Sequence, residues 1–359
     1  MELKEGTVNK IFWKSKKVFL TGHTGFKGSW MSLWLQSMGA IVKGYSLEPN
    51  TTPNLFTKAS VGNNMESEIG DIRDLNQISK SMFDFNPDVL IHMAAQPIVR
   101  LSYQEPVDTY TINVIGTVNV LEAARSCTNL KSIVSVTTDK CYENKERDWG
   151  YKETEPMGGH DPYSSSKGCA ELVTSAYRRS FFVGTDTASL ASARAGNVIG
   201  GGDWSNDRLI PDILKAFENS ESVLIRNPLS TRPWQYVLEP ISGYLVLAEN
   251  LYNYGNDFAE GWNFGPKDES CKSVDWILDE MITHWGNGAS WEVDKNNNPH
   301  EAGLLKLDCS KAENQLKWRP KLELKETLKL IIDWHRQYLN GADIKSECLK
   351  QINEYIKLI

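Results

Sequence analysis

The sequence lacks the features that mark metal, disulfide, membrane and nucleic-acid proteins. Its six cysteines, at 127, 141, 169, 271, 309 and 348, form no C-x-x-C pair, and no histidines stand near them at metal-ligand spacing. That pattern argues against a bound metal and reads as reduced thiols of a cytoplasmic protein. No apolar run reaches bilayer-spanning length, and the opening stretch MELKEGTVNKIFWKSKK has no signal-peptide core, so no membrane association is expected. Lys and Arg form no block, and a net charge of −7 opposes a nucleic-acid surface. Repeats and low-complexity tracts are absent.

What remains is a chain of 359 residues, 40% hydrophobic and 24% charged, with room for one large domain or two. Its organising stretch is 16–39, KKVFLTGHTGFKGSWMSLWLQSMG. Val18, Phe19 and Leu20 predict a strand buried on both faces. Trp30, Leu33, Trp34 and Met38 recur at i, i+3, i+4 and i+8, which predicts a helix with one apolar face, stopped by Gly39. Between them lie Gly22, Gly25 and Gly28, with His23, Thr24, Phe26 and Lys27 completing the loop. Glycines before a helix let the backbone approach a pyrophosphate, whose charge the free amides and helix dipole hold. The G-x-x-G-x-x-G spacing also suits a plain turn, and its strand-to-helix setting favours a dinucleotide.

The stretch 41–45 predicts a second strand, at whose end an NAD site usually carries an acid. Ser46 stands there instead, Glu48 comes two residues late, and no arginine between 45 and 55 offers a clamp for an NADP phosphate. NAD is the expected cofactor, Lys27 being the feature that would reverse this. Asp71 and Ile72 follow a glycine and read as a strand end; the run 88–95 reads as a buried strand whose small Ala94 and Ala95 leave space for a cofactor. Val107, Tyr110, Val114, Val118 and Leu121 share one face of a predicted helix over 107–125, and 132–138 returns as a strand. Such alternation predicts an α/β fold, a Rossmann-type doubly wound parallel sheet with ligands at the carboxyl ends of its strands. Thr138, Asp139 and Lys140 fall at such an end.

Tyr163 and Lys167, in DPYSSSK, lie four apart on one face of the helix predicted after Pro162. A nearby ammonium lowers a phenol toward ionisation, so the pair suits a base. Chance also places one Tyr-x-x-x-Lys among thirteen tyrosines. The order of glycine loop, strand-end threonine, tyrosine and lysine argues for function.

In these motifs the chain resembles the extended short-chain dehydrogenase/reductase family, through TGHTGFKG, HMAAQ, Thr138 and PYSSSK. RAGNVIGGGDW from Arg194, STRPWQYV from Ser230, WNFGP from Trp262 and LKLDCSKAENQLKWRP from Leu305 are similar to stretches of its nucleotide-sugar enzymes. TTDK at 137–140 looks like the Thr-Asp-Glu element of their 4,6-dehydratases, with lysine for glutamate. The resemblance, with PNLF at 53–56 and GGGDW, implies CDP-glucose as small-molecule substrate and its conversion to CDP-4-keto-6-deoxyglucose and water. In that reading Tyr163 removes the 4-hydroxyl proton, Lys167 lowers the tyrosine's pKa and holds the nicotinamide ribose, and Thr138 bonds the sugar hydroxyl. Asp139 is the candidate acid, if burial raises its pKa, and Lys140 the candidate base at C5. Arg208, Arg232 and Asn197 are implied substrate contacts; Arg100 is a further candidate that equally suits a scaffold role.

The implied division is discontinuous: 1–194 plus 234–266 for the NAD-binding domain, and 195–233 plus 267–359 for a smaller mixed α/β substrate lobe, with a polar loop at 296–299. A homo-oligomer is implied, a dimer or dimer of dimers paired through helices near 110–125 and 164–181. A GDP-mannose-type dehydratase or C4 epimerase of the same fold, or a non-catalytic dinucleotide sensor, remain open.

Overall fold

The computed structural model describes residues 6–184, 186–286, 288–294 and 304–359; the polar loop expected at 296–299 lies outside them. Seven parallel strands form the central sheet. They are β1 (Lys17–Thr21), β2 (Ile41–Ser46), β3 (Glu66–Ile69), β4 (Val89–His92), β5 (Ser132–Val136), β6 (Ser189–Ala195) and a last strand, Gly261–Phe264. The order across the sheet is Gly261–Phe264, β6, β5, β4, β1, β2, β3. The chain thus runs outward from β1 to β3, crosses back to β4 on the other side of β1, and runs outward again. This reversal between β1 and β4 is the switch point at which a doubly wound sheet opens a crevice.

Helices cover both faces. On one, Trp30, Leu33, Trp34 and Met38 of the helix Phe26–Ser37 are buried as their spacing predicts, against the apolar side of the helix Leu238–Tyr254. On the other, Leu75–Phe85 and Gly116–Ala124 cover Phe19, Leu90 and Ile133. The helix expected over 107–125 contains a π segment, Thr111–Ile115. Its extra residue per turn shifts the phase of the faces. Val107 and Tyr110 are therefore exposed while Thr109, Asn113 and Thr117 turn inward, and the apolar face expected there becomes buried only at Leu121.

A second apolar core joins Leu209–Glu218, Val274–Trp285 and Leu324–Leu339 through Ile213, Leu214, Phe217, Ile277, Met281 and Leu328. Short pairings flank it: Thr231–Pro233 runs antiparallel to Cys271–Ser273, and Val223–Ile225 parallel to Trp291–Val293. The C-terminal helix Ile344–Leu358 lies on the glycine-loop helix, the rings of Tyr355 and Trp34 meeting edge to face at 5.7 Å. Tyr355 OH also donates to Glu239 Oε2 at 2.6 Å. Among the described residues no helix is long and apolar enough to cross a membrane.

Near the N-terminus, Glu249 accepts from Trp13 Nε1 at 2.6 Å and from the Asn9 amide at 2.9 Å, holding the turn Lys10–Trp13 to the helix Leu238–Tyr254. Burial pushes its carboxyl from 4.5 up to about 7, against the pull of the two donors. The folded chain keeps this proton where the unfolded chain has released it, so stability falls as pH rises from about 4.5 toward 7. Glu249→Gln retains an accepting oxygen and has no proton to lose. Thermal unfolding should find it more stable than the parent above neutral pH, by ~1–3 kcal/mol, with the advantage gone near pH ~4.

Candidate active site

At the switch point β1 ends in Gly22, whose φ of +78° belongs to the left-handed region, and a Cβ there would lie 2.8 Å from the Ala94 amide nitrogen. A Cβ on Gly28 would lie 2.0 Å from the Gly22 carbonyl oxygen. These two glycines close the loop on itself and on the end of β4. Gly25 differs: it is exposed, its Cβ position meets only the Gly22 oxygen, at 3.5 Å, and it starts the helix Phe26–Ser37 with no side-chain cap. The first helical amides therefore face an open cradle, which fits a pyrophosphate.

Thr24 Oγ1 lies 2.9 Å from Ser46 Oγ and donates to the Leu47 carbonyl at 2.8 Å, closing the end of β2. His23 turns inward, its Nε2 2.7 Å from Ser67 Oγ, and burial holds it neutral with a pKa near 4. Asp71 is bound by Arg73 Nε and Nη2 at 2.9 and 2.7 Å, and these bonds outweigh burial to hold its carboxyl below the usual range. Ile72 is buried against Gly116 while Asn119 Nδ2 donates to its carbonyl at 3.0 Å. Phe26 lies partly buried against the larger core, and Ala95 follows Ala94 beyond β4.

Thr138 follows β5. Its hydroxyl donates to Asp139 Oδ1 at 2.9 Å and accepts from the Lys140 amide at 3.4 Å, starting the single turn Asp139–Cys141. Asp139 is 3% exposed, and burial raises its carboxyl despite the charges of Lys140 and Arg232 and the Thr138 bond. This is the condition an acid there requires.

Tyr163 and Lys167 enter from the helix Pro162–Ser180, which Asp161 caps through the Ser164 amide at 2.9 Å. The phenol departs from the expectation: burial pushes it up to about 12, and what opposes this is the Thr138 hydroxyl and Arg208 rather than Lys167. Four-residue spacing brings both side chains inward, but the Lys167 ammonium is taken up by the Val136 carbonyl, at 3.3 Å. Burial lowers Lys167 to about 8, with Glu171 and Cys141 pulling the other way.

Lys27 extends from the glycine loop toward these groups. Its ammonium lies beside Lys167, Arg208 and Asp139, 5.7 Å from the centre of the Tyr244 ring. Burial and the two cations lower it to about 7. Its charge thus faces Lys167, Arg208 and Asp139, while Thr24 and Ser46 close the end of β2.

Arg208 donates to Asp203 Oδ2 at 3.0 Å and acts on both Lys27 and Tyr163, so it belongs to the cluster. Arg232 acts on Asp139 and donates to its neighbour's carbonyl at 3.1 Å. Asn197 follows β6, half-buried, with its carbonyl accepting from the Gln235 amide at 3.1 Å. Arg100 is at the rim, paired with Asp207 at 2.9 Å.

Four inward polar residues were not singled out from the sequence. His92 lies between Thr21 and Thr117, lowered to about 3 by burial and by Lys167. Asn113, in the π segment, accepts from the Gln96 amide and donates to Ser166 Oγ at 2.9 Å. Glu171 and Arg194 form a buried ion pair at 2.7 Å. Glu171 continues the four-residue series of Tyr163 and Lys167, a signal legible in sequence; Asn113 has none. Among the described residues no group of three His, Cys, Asp or Glu stands placed to hold a metal.

Fold and site together define a dinucleotide-binding α/β protein with an acid–base cluster at its switch point. A profile of the GDP-mannose 4,6 dehydratase family matches residues 19–331, and the chain belongs to that family. It is 57% identical over 353 residues to CDP-glucose 4,6-dehydratase of Salmonella typhimurium, covering 97% of this chain and 98% of that one. Human dTDP-D-glucose 4,6-dehydratase is 25% identical, over 90% and 91%. Among solved structures, UDP-glucose 4-epimerase of Thermotoga maritima with UDP-glucose superposes with a TM-score of 0.77 at 21% identity, covering 90% of this chain and 99% of that one. dTDP-glucose 4,6-dehydratase of Bacillus anthracis in complex with NAD gives 0.74 at 20% identity, over 92% and 100%.

Proposed function

We propose that this chain is an NAD-dependent lyase that converts CDP-glucose into CDP-4-keto-6-deoxyglucose and water. The observation that carries the reading is the 57% identity to the Salmonella enzyme along nearly the whole of both chains. The burial of Thr138, Asp139, Tyr163 and Lys167 within reach of one another's charges and hydroxyls, with Lys140 next to Asp139, supports it.

NAD would lie on the open face of Gly25, along Thr24 and Ser46, with Asp71 and Ile72 beyond and Ala94 and Ala95 beneath. When bound it supplies the two-electron acceptor that takes a hydride from C4 and returns it at C6. Lys167 would hold the nicotinamide ribose. Tyr163 would take the proton of the 4-hydroxyl as its phenolate, a form that burial opposes and the positive nicotinamide of bound NAD would favour, with Thr138 bonding the same oxygen. Ketone formation at C4 makes the C5 hydrogen acidic. Lys140, in its neutral form, would take that proton while Asp139, whose carboxyl burial raises, gives its own to the departing 6-hydroxyl so that water leaves; Lys140 then returns a proton to C5 to complete the 6-deoxy sugar. Arg208 and Arg232 meet the diphosphate with planar donors and Asn197 the substrate, with Arg100 and its Asp207 partner at the rim. Glu143, the next carboxylate along the chain and the other group that could take the C5 proton, is exposed and packs against Gly158. A cytoplasmic setting is consistent with the six free thiols.

The dimer belongs to the same proposal. Ile115, Leu172 and Phe181 stand exposed on the helices expected to pair, and burial of such residues favours association. Light scattering at micromolar concentration should give twice or four times the chain mass; a monomer removes the dimer.

The activity is tested with CDP-glucose deuterated at C4. The label should reach C6 with no net accumulation of NADH. Stoichiometric NADH release would mean a simple dehydrogenase. Lys140→Ala should still oxidise C4 but lose solvent deuterium incorporation at C5. Exchange at the parent rate would pass the role of base to another group.

A further inference from the structure

The inward face carrying Tyr163 and Lys167 continues one turn to Glu171, itself 3% exposed. Its carboxylate is fully engaged. Thr137 Oγ1 donates to Oε1, and Ser192 Oγ and Arg194 Nη2 each donate to Oε2 at 2.7 Å. Burial opposes its ionisation, yet Arg194 and the hydroxyls more than offset this and hold the carboxyl below its usual range. Arg194 reaches further: its Nη1 donates to Tyr142 OH at 2.7 Å, and Tyr142 donates to Asn263 Oδ1 at 2.7 Å.

The two ends of this pair therefore grip the two ends of one short segment. Thr137 is tied to Glu171 and Tyr142 to Arg194, and between them lie Thr138, Asp139, Lys140 and Cys141. No other ion pair with both side chains this deeply buried occurs among the described residues. Removing one partner of such a pair is costly.

Glu171 also acts on Lys167. The other titratable groups facing that ammonium are Cys141 after β5, His92 at the end of β4 and Lys27 of the glycine loop. Burial keeps the Cys141 thiol and the His92 ring neutral, and Lys27 repels. Glu171 is the carboxylate that favours the charged lysine.

We propose that Glu171 and Arg194 are positioning residues for the reaction: their ion pair clamps segment 137–142 at both ends, and Glu171 stands one helical turn after Lys167 as its carboxylate partner. This rests on the dehydratase reading for its catalytic consequence. The charge on Lys167 can be read without substrate.

In Glu171→Gln, the Lys167 ammonium followed by nitrogen NMR, its signal assigned with Lys167→Arg, should lose roughly tenfold in proton affinity. The alkaline limb of kcat/KM should move to lower pH by the same factor. Thr137→Val frees one end of the segment and leaves the ion pair in place. It should lower kcat by about tenfold or more, with KM for CDP-glucose within about twofold and Lys167 titrating as in the parent; Thr137→Ser should restore kcat. An unmoved Lys167 titration in folded Glu171→Gln, or parental kcat in Thr137→Val, overturns the proposal. If Glu171→Gln does not fold, Thr137→Val still decides the clamp. A parent chain inactive on CDP-glucose overturns the dehydratase reading, while the Lys167 titration still decides the role of Glu171.

Discussion

The molecule depends on a backbone contact at which side chains are excluded. β1 and β4 are parallel neighbours whose connections leave in opposite directions, and the crevice between them is only as deep as the approach of Gly22 to Ala94 allows. Gly28 then folds against the Gly22 carbonyl, which aims the helix Phe26–Ser37 along the crevice. The other pieces are referred to that helix. Its Trp30 donates to the Gly201 carbonyl at 3.0 Å, tying it to the loop that opens the second lobe, and its Trp34 receives the C-terminal helix through Tyr355. Cofactor cradle, the loop at Gly201 and the C-terminal helix are thus registered on one element whose position the two glycines set.

Much of this is legible in the sequence wherever a local rule suffices. Strand runs, the glycine loop and the apolar spacing of 30, 33, 34 and 38 are local, and the structure follows them. Asp139, Tyr163 and Lys167 come together because each sits at a strand end or helix start that local patterning can place. The failures have a different origin. The face expected at Val107 and Tyr110 was read with a uniform helical period, and the π segment breaks that period where Asn113 must reach Gln96 and Ser166. The packing of Ile344–Leu358 on the glycine-loop helix is a contact across more than three hundred residues, which periodicity cannot express.

Lys167 and Lys27 illustrate a further limit. Spacing identifies which face a side chain leaves from, and the end of a long flexible chain then goes where charge and hydrogen bonding take it. Lys167 is drawn to the Val136 carbonyl, and Lys27 runs from the glycine loop into the field of Lys167, Arg208 and Asp139. Each position was legible from the sequence; each ammonium's surroundings were not.

The consequence is a pocket crowded with positive charge. Lys27, Lys167 and Arg208 lie close enough to act on one another, with Asp139 inclined to stay protonated and Glu171 already committed to Arg194. Burial leaves Lys27 near 7, with the charges of Lys167 and Arg208 adding to it, and Lys167 near 8 against the pull of Glu171. An anion entering the pocket reverses this, since it raises the proton affinity of every cation it meets. Diphosphate binding is then linked to proton uptake, and it weakens as rising pH removes those protons. The same cations would raise the energy of the pocket if it held only neutral sugar. Cation crowding thus favours ligands that carry a diphosphate, which both a dinucleotide and a nucleotide sugar do. Because the crowding lies beside Asp139, an anion drawn to these cations would be held next to a carboxyl that burial raises.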